Sequence, residues 1–77
     1  MNKERRKLVA SAAALIDEAK TLLEQARDEE RETRENLPEN LQDGELGERM
    51  DGYADRLDEL IDELENLDFS EFDEGRA

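Results

Sequence analysis

The chain contains no cysteine, no histidine and no tryptophan, and only one proline and four glycines in 77 residues. Each absence excludes something. Without cysteine there is no disulfide and no thiolate metal site. Without histidine the usual general base, the usual zinc ligand and the usual switch near neutral pH are missing. Aromatic residues are 4% of the chain, so a large aromatic core is excluded too. No apolar run approaches the ~20 residues of a membrane span. The basic start is not followed by the apolar stretch and cleavage site of a secretory leader, so the expected location is the cytoplasm.

What is present is charge. Charged residues make up 45% of the sequence and the net charge is −13. Hydrophobic residues are 35%, low enough that composition alone permits disorder. Their periodicity argues for helices instead. A chain this short buries little surface and needs a helper to be stable. With disulfides and thiolate metal sites excluded, self-association or docking on a partner is what remains.

Leu8, Ala12, Leu15, Ala19, Leu22 and Ala26 recur at alternating steps of four and three, continuing through Glu29 and Thr33. That spacing is a heptad seam with a leucine line and an alanine line. Val9, Ile16 and Leu23 flank the leucines. Good helix formers without Gly or Pro fill the segment, which predicts one helix over about 3–36. Beyond Ala26 the segment is almost wholly charged or polar, with Glu30–Arg34 and Arg31–Glu35 spaced as i,i+4 pairs.

Pro38 pushes its predecessor out of helical geometry, which predicts a break over 37–44. Leu37 and Leu41 are expected to plug the loop end, and Asp43 to cap the next helix. That second helix, about 45–67, carries Leu46, Met50, Tyr53, Leu57, Leu60, Leu64 and Leu67 at the same steps, with Ala54 and Ile61 widening the stripe. Gly47 and Gly52 weaken its first turns. The expected fold is all-α: an antiparallel two-helix hairpin, coiled-coil-like, dimerising into a four-helix bundle. The alanine line allows close helix approach, so Leu8, Ala12, Leu15, Ala19, Leu22 and Ala26 are the candidate self-association residues of a homodimer; a monomer docked on a partner is the alternative. Residues 68–77 are expected to form a flexible acidic tail in which Phe69 and Phe72 are candidate anchors for a basic, apolar pocket.

The charge is uneven. Residues 1–37 hold eight Lys or Arg and nine Asp or Glu, a net of −1; residues 38–77 hold three and fifteen, a net of −12. On the second helix Asp51, Asp55, Asp58, Glu59, Asp62 and Glu65 form a carboxylate stripe. Like charges at i,i+4 cost helix stability, as do carboxylates near a helix C-terminus. A local conflict of this kind points to function, here a partner-binding face for a basic protein surface. In its extreme form the stripe mimics DNA, whose duplex carries one charge per ~1.7 Å. Lys3, Arg5, Arg6 and Lys7 crowd the first helix's start, where neutralising the acidic end explains them better than nucleic-acid contact, which the net charge opposes.

Asp43-Gly44-Glu45 and Asp51-Gly52 lack the ligand series of a calcium loop. No phosphate loop is present, and Ser11 and Ser70 have no base to activate them. No cofactor, metal or catalytic residue is expected, and the chain is expected not to be an enzyme. The segment Asn-Leu-Pro-Glu-Asn-Leu-Gln-Asp-Gly-Glu-Leu-Gly-Glu, behind a charged helix and ahead of an acidic leucine-periodic one, resembles small acidic helical proteins of phages and mobile elements. The resemblance implies an accessory protein, such as an inhibitor of a host nucleic-acid-binding defence protein, and no particular activity. A structural bundle whose charge serves only solubility is the alternative.

Overall fold

Asn2 starts the first helix: its side-chain oxygen accepts the Arg5 backbone N–H at 2.8 Å, satisfying one of the four amides a helix leaves unpaired at its start. The computed structural model describes residues 1–72, and within them α1 spans Lys3–Glu35. Helix formers without interruption sustain its 33 residues. It ends at Asn36, as the proline two residues on requires. Pro38 then opens a single turn, α2 (Glu39–Gln42), accepting the N–H groups of Leu41 and Gln42 through its carbonyl. The helix α3 spans Glu45–Glu65, and a short 3-10 turn, Ser70–Phe72, follows. The described residues are all helical or connecting, and their long axis measures 59 Å against 17 and 14 Å across. Asp73–Ala77, the rest of the expected tail, lie outside the described residues.

The two long helices pack on each other in opposite directions. Ion pairs show it: Lys20 meets Glu65, Arg27 meets Asp58, and Arg34 meets Asp51, so one chain number rises as the other falls. The inward face of α1 is the half-buried series Val9, Ala13, Ile16, Lys20, Leu23, Arg27, Glu30 and Arg34; from Lys20 on it lies along α3, while Val9 and Ala13 lie beside Phe69 and Phe72. The facing series on α3 is Gly47, Met50, Ala54, Leu57, Ile61 and Leu64.

This corrects the expected seams. Leu8, Ala12, Leu15, Ala19, Leu22 and Ala26 do not face α3: all six are exposed, each standing one residue before a seam position. Likewise Leu46, Tyr53 and Leu67 are exposed, while Ala54 and Ile61, expected at the stripe's edge, are its centre. Two features select the shifted seam. First, three of its four polar members on α1, Lys20, Arg27 and Arg34, are cations that meet carboxylates of α3, whereas the leucine row from Leu8 to Ala26 offers α3 no charge. Second, Gly47 lies against the turn. A Cβ built on Gly47 would sit 2.2 Å from the Gln42 carbonyl oxygen, so only glycine permits the approach, and the approach sets α3's rotation so that positions 47, 54 and 61 point at α1.

The turn is held by side chains as well. The Gln42 amide donates to the carbonyls of Leu37 at 2.7 Å and Glu35 at 3.3 Å, and Arg34 donates to the Gln42 carbonyl at 3.0 Å. Leu37 is half-buried here, and Leu41 is the more open of the two at 40% exposure. The residue capping α3 is Gly44, with no side-chain bond, and not Asp43. The pairs Glu30–Arg34 and Arg31–Glu35 do not form; both arginines reach across to α3 instead.

Candidate docking face

Because the helices run in opposite directions, the residue before a seam position falls on one side of the pair in both helices. The residue after it falls on the other side. Each step turns 100° about the helix axis, and reversing the chain direction reverses the sense of that turn. This rule sorts the surface into two unlike sides.

The side after the seam is closed by charge. Arg27 Nη1 donates to Asp58 Oδ1 at 2.8 Å, and Arg31 Nη2 binds Asp58 Oδ2. Arg34 Nε donates to Asp51 Oδ1 at 3.0 Å, and Lys20 Nζ lies 3.9 Å from Glu65. The Arg27 hydrogen bond, helped by Arg31, holds the Asp58 carboxyl below the usual aspartate range, and the same bond raises Arg27. Of the expected acidic face, then, Asp51, Asp58 and Glu65 are committed to α1. Glu59 pairs with Arg56 on its own helix at 2.9 Å. Asp55 and Asp62 have no ion partner among the described residues and point outward.

The side before the seam is uncovered, and along α1 it is apolar from Leu8 to Ala26. Leu8 is 70% exposed, Leu15 64% and Leu22 65%, with Ala12, Ala19 and Ala26 between them. Beside it α3 adds exposed Leu46 and Tyr53 and half-buried Leu60, alternating with the exposed Arg49, Arg56 and Glu63, and exposed Leu67 follows the helix end. Among the described residues the buried apolar ones are Met50, Ala54 and Ile61, at 8, 3 and 4% exposure, and no large side chain is fully buried. The helix pair therefore presents more large apolar side chains on this side than it buries. Contiguous patches of this kind mark interaction sites.

At the α1 start, the stretch after α3 folds back. Phe69 and Phe72 are half-buried and line a shallow groove with Arg6, Val9, Ala10, Ala13, Ala14 and Asp17. The Ser70 N–H donates to the Asp68 side chain at 2.9 Å, which holds that carboxyl below its ordinary range and starts the turn carrying Phe72. The two rings, expected free for a partner, lie on Val9 and the alanines of this chain's own α1.

Sequence reasoning found the six residues of the exposed row but placed them against α3 as well as against a second copy. It missed that the row continues onto α3. The signal was there: Leu46, Tyr53, Leu60 and Leu67 recur every seven residues, one position before Gly47, Ala54 and Ile61. No group of acidic residues among those described is arranged to hold a metal ion, and no described helix is long and apolar enough to cross a membrane. No protein-family model, no curated protein and no solved structure matches the chain.

Proposed function

We propose that this chain is a non-enzymatic interaction module that binds another protein surface through the apolar side of an antiparallel helical hairpin. The observation that carries the reading is the row Leu8, Leu15 and Leu22, each about two-thirds exposed beside a core of three buried residues. A leucine side chain fully buried contributes about 1.5–3 kcal/mol relative to exposure, so this row holds a large unused share of the chain's apolar free energy. The module's proposed chemistry is binding alone: the groove under Phe69 and Phe72 is lined mainly by Val9 and alanines, with Arg6 and Asp17 as its charged members.

The test is a photo-cross-linking residue placed at Leu15, on the apolar row, or at Thr21, on the other side of α1. The reading expects a discrete protein adduct from Leu15 in source cells and none from Thr21. Equal labelling at both, or none at Leu15, overturns it.

A second contact is favoured by Asp55 and Asp62, which stay unpaired on the outward edge of α3. They narrow the expected acidic interface for a basic protein surface from six carboxylates to a short edge, with Glu59 between them. A DNA-mimicking inhibitor would use this edge. Binding of that kind weakens steeply with salt; a partner whose affinity is unchanged between 50 and 500 mM salt, about the range over which surface charges become screened, excludes it.

A further inference from the structure

The exposed row of α1 is complementary to itself. We infer that its occupant is a second copy of this chain, packed with the two α1 helices antiparallel about a two-fold axis at the level of position 17. The inference rests on the proposed docking role of the apolar side and names what fills it. About that axis Leu8 stands opposite Ala26 of the second copy, Ala12 opposite Leu22, and Leu15 opposite Ala19. Every leucine of the row meets an alanine, and the pattern repeats by symmetry. Leucines thus enter the spaces alanines leave, which brings the axes to the near end of the ~8–10 Å range for packed helices. A parallel pairing would instead stack leucine on leucine and alanine on alanine, leaving gaps at every second level.

Charge supports the same axis independently. The residues that extend the row beyond its apolar part are Arg5 at one end and Glu29 at the other, both exposed. Centred on position 17 they face each other, Arg5 of each copy against Glu29 of the other, so an opposite pair closes each end. In the parallel alternative Arg5 would meet Arg5 and Glu29 would meet Glu29. Glu18 meets its own copy near the axis, a like-charged contact at the rim where both carboxylates stay in water. The apolar row itself, from Leu8 to Ala26, is ~27 Å long and carries no charge. The second copy is also the partner that supplies the missing helper: a short chain burying three apolar residues gains a larger core wherever the protein itself is concentrated.

Sedimentation equilibrium of the full chain tests the inference, with charge exchanges to fix the axis. At tens of micromolar the expected mass is twice the 8.9 kDa of the chain. Arg5→Glu and Glu29→Arg are each expected to weaken the dimer about five- to tenfold, since each sets two like-charged pairs against each other. The double variant R5E/E29R is expected to return within about twofold, because the exchanged charges attract again. Circular dichroism at equal concentration checks that each variant stays helical. A dimer that strengthens with R5E alone, or whose double variant is no tighter than the singles, overturns the antiparallel axis. A monomer at 200 µM, well above ordinary working concentrations for a stable dimer, overturns self-association. If the Leu15 cross-linker then captures a different protein, the docking face stands with another occupant; if it captures nothing, the docking reading falls as well.

Discussion

Arg27 and Asp58 meet across the helix pair at 2.8 Å, and Arg31 closes on the second oxygen of the same carboxylate. One aspartate thus joins two turns of α1 to the middle of α3. Its carboxyl is held below the ordinary range by the Arg27 hydrogen bond first and Arg31 next. An unfolded aspartate titrates near ~3.9. A lowered folded value means the pair's contribution is fully present above that pH and is lost as pH falls through the folded value. The melting temperature of the native chain should therefore exceed that of Asp58→Asn at pH 6–7, with the gap closing below about pH 4. A gap that persists at pH 2 would show that Asp58 acts by packing and not by charge.

Gly47 and Gly52 stand five residues apart on α3 and should respond oppositely to alanine. At Gly47 a Cβ meets the Gln42 backbone, whereas at Gly52 nothing lies within 4 Å. Gly52→Ala should stabilise by about 1 kcal/mol, raising the melting temperature by ~4–8 °C. Gly47→Ala gains the same helix propensity but forces the turn and α3 apart, an overpacking cost of about 1–3 kcal/mol. Thermal melts that rise for both would mean the turn yields freely and does not set α3's rotation.

Those two glycines also show where the sequence was readable and where it was not. The composition, the proline break and the heptad spacing predicted two long helices, and the helices are there. Rotation was the part that stayed hidden. On α1 the row at Leu8 and the row at Val9 both satisfy a four–three spacing, and the first is free of charge from Leu8 to Ala26 whereas Lys20 and Arg27 interrupt the second. The choice between them is made by contacts distant in sequence: a glycine pressed on a carbonyl, and arginines that become acceptable at a seam only because Asp51 and Asp58 stand opposite. Neither is visible from one helix alone. For the same reason the acidic stripe read as a free surface, although half of it answers cations of α1.

Core and row should separate in mutational experiments. Ile61→Ala removes a side chain that is 4% exposed from a core of three, with an expected loss of about 2–5 kcal/mol, a large part of the stability of a chain this size. Helicity of the dilute chain at 25 °C should fall, and should recover in part at higher protein concentration because the row that pairs two copies is intact. Leu15→Gln changes an exposed residue and should leave the dilute chain as helical as before, while removing any dependence of the melting temperature on concentration. Loss of helicity in dilute Leu15→Gln would place that leucine in the monomer's core.

Phe69 and Phe72 hold the end of the described chain against Ala10, Ala13 and Ala14. Replacing both by serine should speed amide exchange in the first four turns of α1, which α3 itself covers least, and leave the turn around Gln42 unchanged. Uniform acceleration along the chain would indicate global destabilisation instead.

In the proposed dimer, confining the uninterrupted leucine row to one side of α1 limits how many copies can join. A rod that adheres along a single strip has a valence of one. Pairing two such strips about a two-fold axis uses both, and the outer sides of the product carry the ion pairs and the unpaired carboxylates of α3, which repel a third copy. Association of this kind closes at a finite size. The same residues distributed around both sides would offer every added chain another site, and growth would run on into filaments.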